Sequence, residues 1–70
     1  MGRGLSPLQH AILDDARQRG FTSMVAAQRI ADDLLKYSSS EVRRCSVSRT
    51  CRLLVRRGYL ARDAKGLFRP

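Results

Sequence analysis

The stretch VSRTCRLLVRRGYL, residues 47–60, predicts an amphipathic helix followed by a strand. At about 100° per residue, its small apolar side chains share one stripe and most of its arginines share another. The apolar stripe consists of Val47, Cys51, Leu54 and Val55, and the opposite stripe of Arg49, Arg52 and Arg56. Gly58 follows the last periodic residue, where a left-handed conformation favours glycine. We therefore expect a helix that is buried on one face and exposes arginines on the other.

The start of this helix is predicted near Ser46, which gives a helix over about residues 46–57. Extended further back, the same helix would bury two arginines and expose two less polar residues, with Arg43 and Arg44 inward and Val42 and Cys45 outward. That conflict favours a break near residues 45–46. Residues 42–45 are then expected to form a separate turn.

The net charge of +8 is confined to the end of the chain. Residues 1–42 contain five basic and five acidic residues, whereas residues 43–70 contain nine basic residues and a single acidic one, Asp63. Solubility alone does not require this segregation, while a surface that binds a polyanion does. Nearly all of the basic residues are arginines, which make bidentate contacts with phosphate and with guanine edges.

Two further helices are predicted before residue 40. Ser6, Pro7 and Gln9 form a strong start signal, with an N-cap, a proline at N1 and a capping box, and Gly20 ends this first helix. A second helix is expected over about residues 23–36, its apolar face formed by Ala26, Ala27, Ile30, Leu34 and Tyr37. After it, residues 38–41 are either a capping signature, Ser38-x-x-Glu41, or a serine-rich turn.

The last residues predict a β-hairpin. Residues 59–62 alternate in polarity, residues 63–66 have aspartate and glycine at the first and fourth turn positions, and residues 67–69 resume a strand. Leu60 and Phe68 are expected to pack toward the helices. A short third strand at Phe21 would help to support the hairpin, because two strands alone are marginally stable.

The motif Val-Ser-Arg-x-x-x-x-Leu-x-x-Arg-Gly-x-Leu, residues 47–60, resembles the third helix and first wing strand of winged helix-turn-helix DNA-binding domains. The resemblance extends over about residues 5–69, and it implies a mainly α fold of three helices followed by a two-stranded wing. It also implies that residues 46–57 lie in the major groove and that the wing, residues 59–69, contacts the backbone. The proposed turn at residues 42–45 departs from the family, because it lengthens the usual connection.

Carried over by position, the resemblance implies nine DNA-contacting residues. Ser48, Arg49 and Arg52 are expected at bases or nearby phosphates, and Thr50, toward the edge of the core, is a weaker candidate. Arg62, Lys65 and Arg69 are expected to contact phosphate or the minor groove from the wing. Arg43 and Arg44 are expected to contact phosphate at the start of the helix, whereas Arg56 and Arg57 are expected to be more distant.

The function expected from these features is sequence-specific binding of double-stranded DNA by a small transcriptional regulator. An RNA-binding winged helix and a protein adaptor with a basic face remain alternatives. The four aromatic residues offer no evident base-stacking platform, since most are expected to be buried: Phe21, Tyr37, Tyr59 and Phe68. Whether the chain acts as a homodimer or within a larger nucleoprotein complex is left open.

Other classes of function lack sequence support. No phosphate-binding loop, metal-ligand cluster or nucleophile with a base is found, so we expect neither an enzyme nor a cofactor. Cys45 and Cys51 have no CxxC spacing and are expected to be reduced thiols. No apolar run is long enough to span a bilayer, and a cytoplasmic location, nucleoid-associated in a prokaryote, is expected. We interpret residues 1–70 as one domain, with residues 1–4 disordered.

Overall fold

A computed structural model describes residues 4–70 and shows three helices followed by an antiparallel two-stranded hairpin. This mainly helical architecture confirms the predicted fold class. Disorder was expected at residues 1–4, of which residues 1–3 lie outside the described part of the chain. The elements are α1 (Pro7–Arg19), α2 (Met24–Leu34), α3 (Ser40–Arg56), β1 (Ala61–Arg62) and β2 (Phe68–Arg69).

The start of α1 is confirmed in detail. The Ser6 hydroxyl accepts a hydrogen bond from the Gln9 backbone N–H at 3.3 Å, and the Gln9 side chain accepts one from the Ser6 N–H at 2.9 Å. Pro7 occupies the first helical turn, where its missing N–H costs nothing. Gly20 ends the helix in the left-handed conformation, as expected.

Helix α2 begins where predicted but ends two residues earlier. The Ser23 hydroxyl caps it by accepting from the Ala26 N–H at 3.1 Å. After Leu34 the chain bends toward α3, with the Ser38 N–H donating to the Leu35 carbonyl. The expected burial of Tyr37 is therefore wrong, because its side chain lies in this bend and is 93% exposed.

Helix α3 is continuous from Ser40 to Arg56, so the predicted break near residues 45–46 is wrong. The Ser39 hydroxyl caps it and accepts from the Val42 N–H at 3.2 Å. Val42 and Cys45 do point outward, and both are exposed. Of the two arginines expected on the inward side, Arg43 forms an ion pair with Asp32 of α2, whereas Arg44 is exposed. The connection between α2 and α3 is only residues 35–39, so the departure expected from the winged helix pattern is absent.

The hairpin is closed by the side chain of Asp63. Its Oδ1 atom accepts from the backbone N–H groups of Lys65 and Leu67, both at 2.9 Å, and Gly66 takes the left-handed conformation. Ala61 pairs with Arg69, and Arg62 pairs with Phe68. The third strand is a single bridge, at Thr22 rather than Phe21, in which Thr22 and Phe68 exchange backbone hydrogen bonds of 2.7 and 2.8 Å.

The core lies where the three helices and the hairpin meet. Helix α1 contributes three large aliphatic side chains and one alanine, and α2 contributes two alanines that allow close helix packing. Leu60 and Phe68 are buried from the hairpin side, as predicted. The core residues are Leu8, Ile12, Leu13, Ala16, Ala27, Ala31, Val47, Cys51, Leu54, Leu60 and Phe68. Within residues 4–70, no helix combines the length and the apolar composition needed to cross a membrane.

Candidate nucleic-acid interface

The exposed side of α3 carries a row of arginines at helical spacing. Arg49, Arg52 and Arg56 follow one another at intervals of three and four residues and line a shallow groove with Leu53. On the opposite side of the helix, Val47 and Leu54 are completely or almost completely buried. This anchoring fixes the rotation of α3, so its arginine row is held facing solvent.

The arginines of this row form no ion pair within residues 4–70. Among residues 4–70, the arginines that form ion pairs are Arg19, Arg43 and Arg69. None of the three belongs to the row on α3. Exposed, unpaired guanidinium groups on adjacent turns produce a positive potential that attracts polyanions.

The hairpin extends this positive surface. Arg62 on β1 lies across a cleft from Arg52 and Arg56, and the same cleft is lined by Ser48. The guanidinium carbon of Arg62 lies 5.9 Å from the centre of the Phe68 ring, so a cation–π contact helps to position it. Helix and wing therefore contribute to one continuous cationic surface, which we call the helix–wing surface: Arg49, Arg52, Arg56 and Arg62.

Lys65 lies at the turn of the hairpin, with its side chain exposed. The pKa of the nearby Asp63 carboxyl group is lowered, chiefly by the Leu67 backbone N–H and also by the Arg69 side chain and the Lys65 N–H. The carboxylate faces its own turn and Arg69. Lys65 is left to extend the positive surface at the tip.

Three of the nine predicted contact residues are held by an ion pair or by burial. Arg43 donates from Nε to Asp32 at 3.0 Å and from Nη1 to the Ser38 carbonyl, and its side chain is only 21% exposed. Arg69 donates from Nε to Asp63 at 3.0 Å. Thr50 is 8% exposed and lies among the buried residues of α3. These three residues therefore also contribute to the fold.

The other six predicted residues stay on the surface. Arg49, Arg52 and Arg62 belong to the helix–wing surface, and Lys65 lies at the hairpin tip. Ser48 is half-buried at the cleft. Arg44 is exposed one helical turn before Ser48.

Sequence reasoning missed Arg56 and the first turn of α3. Arg56 was expected to be distant, but it lines both the groove and the cleft. Its spacing of four residues from Arg52 was the available signal. Because α3 starts at Ser40, three more side chains share its exposed side with Arg49 around another shallow groove: Glu41, Val42 and Cys45.

The order of elements, the short connection between α2 and α3, and the hairpin supported by Thr22 are compatible with a winged helix-turn-helix shape. In comparisons with protein-family models, curated proteins and solved structures, no match was found.

Proposed function

We propose that this protein binds double-stranded DNA through the helix–wing surface and acts as a small sequence-specific transcriptional regulator. The observation that supports this proposal is the row of unpaired arginines on α3 beside Arg62 of the wing. A polyanion relieves the repulsion among these charges and releases its own counterions in exchange.

The dimensions of α3 suit the major groove. Its 17 residues span about 25 Å at a rise of about 1.5 Å per residue, and a groove roughly 12 Å wide admits one helix. Arg49 and Arg52, near the middle of the exposed side, are the proposed base-reading residues. Arginine recognises guanine through a bidentate contact with O6 and N7.

The early start of α3 adds chemically different groups to the same side of the helix. Glu41 is suited to accept a hydrogen bond from a cytosine amino group, and Val42 to contact a thymine methyl group. A surface of arginines alone would favour any phosphate backbone. One carboxylate and one exposed apolar side chain beside Arg49 favour discrimination between base pairs.

The remaining cations are proposed to contact phosphates. Arg56 and Arg62 lie on either side of the cleft, Lys65 lies at the hairpin tip, and Arg44 lies in the first half of α3. These contacts would position the protein without reading the sequence.

A titration of fluorescein-labelled duplex DNA, followed by anisotropy at several salt concentrations, tests the proposal. If the six exposed cations Arg44, Arg49, Arg52, Arg56, Arg62 and Lys65 each neutralise one phosphate, log K falls against log salt with a slope of about 5. The matched control is Arg29→Gln, which removes one positive charge from a groove between α1 and α2. We expect it to leave the slope unchanged.

Competition experiments separate the proposed function from its alternatives. Preferential binding of single-stranded or structured RNA over duplex DNA would indicate an RNA-binding protein. An affinity for DNA that does not change with salt, or no affinity at low salt, would overturn the proposal. Selection from random duplexes would then identify the cognate sequence.

A further inference from the structure

A cleft of about 330 Å³ lies between α3, the start of α2 and the hairpin. Its volume falls near the lower end of the roughly 300–1,000 Å³ found for small-molecule sites. Four elements contribute side chains to it, so its shape depends on the tertiary fold. Its lining consists of Met24, Ser48, Cys51, Arg52, Val55, Arg56, Arg62 and Phe68.

The floor of the cleft is apolar. Cys51 and Phe68 are buried there, and Val55 is half-buried beside them. Met24 forms part of the wall and is 40% exposed, so its flexible thioether can adapt to a ligand. A bare phosphate would leave this floor without a partner.

The rim of the cleft is cationic on two opposite sides. Arg52 and Arg56 lie one turn apart on α3, a spacing at which like charges repel each other. Arg62 faces them from β1, held over the Phe68 ring. None of the eight lining residues is acidic, and the ion pairs found within residues 4–70 do not involve these arginines.

We propose that this cleft binds a small amphipathic anion, with an aromatic or branched apolar body on the floor and one phosphate or carboxylate between the arginines. Binding itself requires no DNA. Its regulatory consequence depends on the proposed function, because Arg52 and Arg62 belong to the helix–wing surface. A bound anion neutralises them and therefore weakens binding of DNA.

The test uses 1-naphthyl phosphate as a probe of the whole protein, with amide chemical shifts measured by NMR during a titration. We expect saturable shifts at residues 51, 55, 62 and 68. Inorganic phosphate carries the charge without the body, and 1-naphthol carries the body without the charge. Each should bind at least about tenfold more weakly, since each loses one of the two kinds of contact.

Two variants locate the site. Arg56→Gln should weaken binding of 1-naphthyl phosphate about tenfold, the loss of one charge-assisted contact. Arg57→Gln removes the same charge from the next residue, which does not line the cleft, and should leave binding unchanged. Met24→Gln alters an exposed part of the wall, with little risk to folding, and should also weaken binding.

Several results would overturn the inference. Equal affinity for inorganic phosphate would indicate a plain anion surface, equal affinity for 1-naphthol would indicate apolar adsorption, and equal loss in the two arginine variants would indicate a general charge effect. A separate DNA titration distinguishes the two proposals. If the probe binds but DNA does not, the cleft site stands and the proposed function fails. If DNA binds but the probe does not, the proposed function stands and the cleft site fails.

Discussion

The ion-paired arginines Arg19, Arg43 and Arg69 have the same side-chain chemistry as the arginines of the helix–wing surface but different surroundings. Arg19 is paired with Asp15 at 2.9 Å, and α2 also supplies Asp32 to Arg43. In contrast, Arg49, Arg52 and Arg56 have no carboxylate partner among residues 4–70. The pair of Arg43 with Asp32 joins α3 to α2, and that of Arg19 with Asp15 lies within α1, whereas unpaired arginines keep their charge available to a ligand. The difference lies in the neighbouring residues and not in the arginines themselves.

Helix α3 contains both kinds of residue, so substitutions on its two sides should have separable effects. Leu54→Ala removes a completely buried side chain and should lower the free energy of unfolding by about 2–5 kcal/mol. Arg49→Ala should change it by less than about 0.5 kcal/mol. Chemical denaturation measures both. Equal losses in the two variants would show that the arginine side is also structural.

The two cysteines of α3 provide a second contrast. Burial raises the pKa of the Cys51 thiol from 9.0 to about 11, so its thiolate fraction near pH 8 falls about a hundredfold. Cys45 is exposed on the same side of α3 as Arg49. We expect iodoacetamide to modify Cys45 first, as followed by mass spectrometry of the intact protein.

Duplex DNA should then slow the modification of Cys45, because the proposed interface covers it. The Cys45→Ser variant controls for reaction at Cys51. Modification at the same rate with and without bound DNA would place the interface elsewhere on the molecule.

Arg49 and Lys65 sharpen the distinction between reading bases and holding the backbone. Arg49→Ala should weaken binding to a selected site by about 1–3 kcal/mol and have a smaller effect on random duplexes. Lys65→Ala should weaken all sequences alike and lower the salt slope by about 1. Anisotropy on both kinds of duplex measures this. Identical losses for Arg49→Ala on every duplex would contradict its base-reading role.

Substitution of Arg43 tests how an arginine within an ion pair behaves. Arg43→Gln breaks a partly exposed ion pair and should cost at most about 1 kcal/mol of stability. Its affinity for DNA should fall less than that of Arg44→Gln, which removes an exposed charge one residue further along. A larger loss of affinity in Arg43→Gln would mean that the pair with Asp32 opens when DNA binds.

The smallest effect is expected from the titration of Asp63. Its pKa is lowered in the folded state, chiefly by the Leu67 N–H, so its stabilisation is present above the ordinary value of 3.8 and is lost as pH falls through the folded value. Thermal unfolding of Asp63→Asn should show a weaker decline in stability below pH 3.8 than the unchanged protein. The same decline in both proteins would exclude a role for this carboxylate in the pH dependence of stability.

Local signals in the sequence were sufficient for α1 and for the hairpin. A capping box and an aspartate at a turn act between residues only a few positions apart, and both were found as predicted. The start of α3 depended on a distant residue instead. Asp32 lies eleven positions before Arg43, and their pairing removes the cost expected for Arg43 in a continuous helix, while Arg44 is exposed.

The candidate site was predicted in part for the same reason. The segregation of charge pointed to the second half of the chain, and the helical spacing placed Arg49 and Arg52 together. Periodicity cannot tell which arginines meet a carboxylate, so the ion pairs of Arg43 and Arg69 were not predicted. It also cannot show which part of α3 the hairpin approaches, so Arg56 was left out.

The base of the hairpin and its turn are held by different contacts. Its base is held by the Leu60 N–H bond to the Leu54 carbonyl and by the exchange between Thr22 and Phe68. The turn around Lys65 is braced by Asp63, within the hairpin itself. A projection fixed only at its base moves most at its free end, while α3 stays seated in the core. In the proposed complex with DNA, such a tip would follow a phosphate backbone that bends, or a groove that narrows, without shifting α3 beside it.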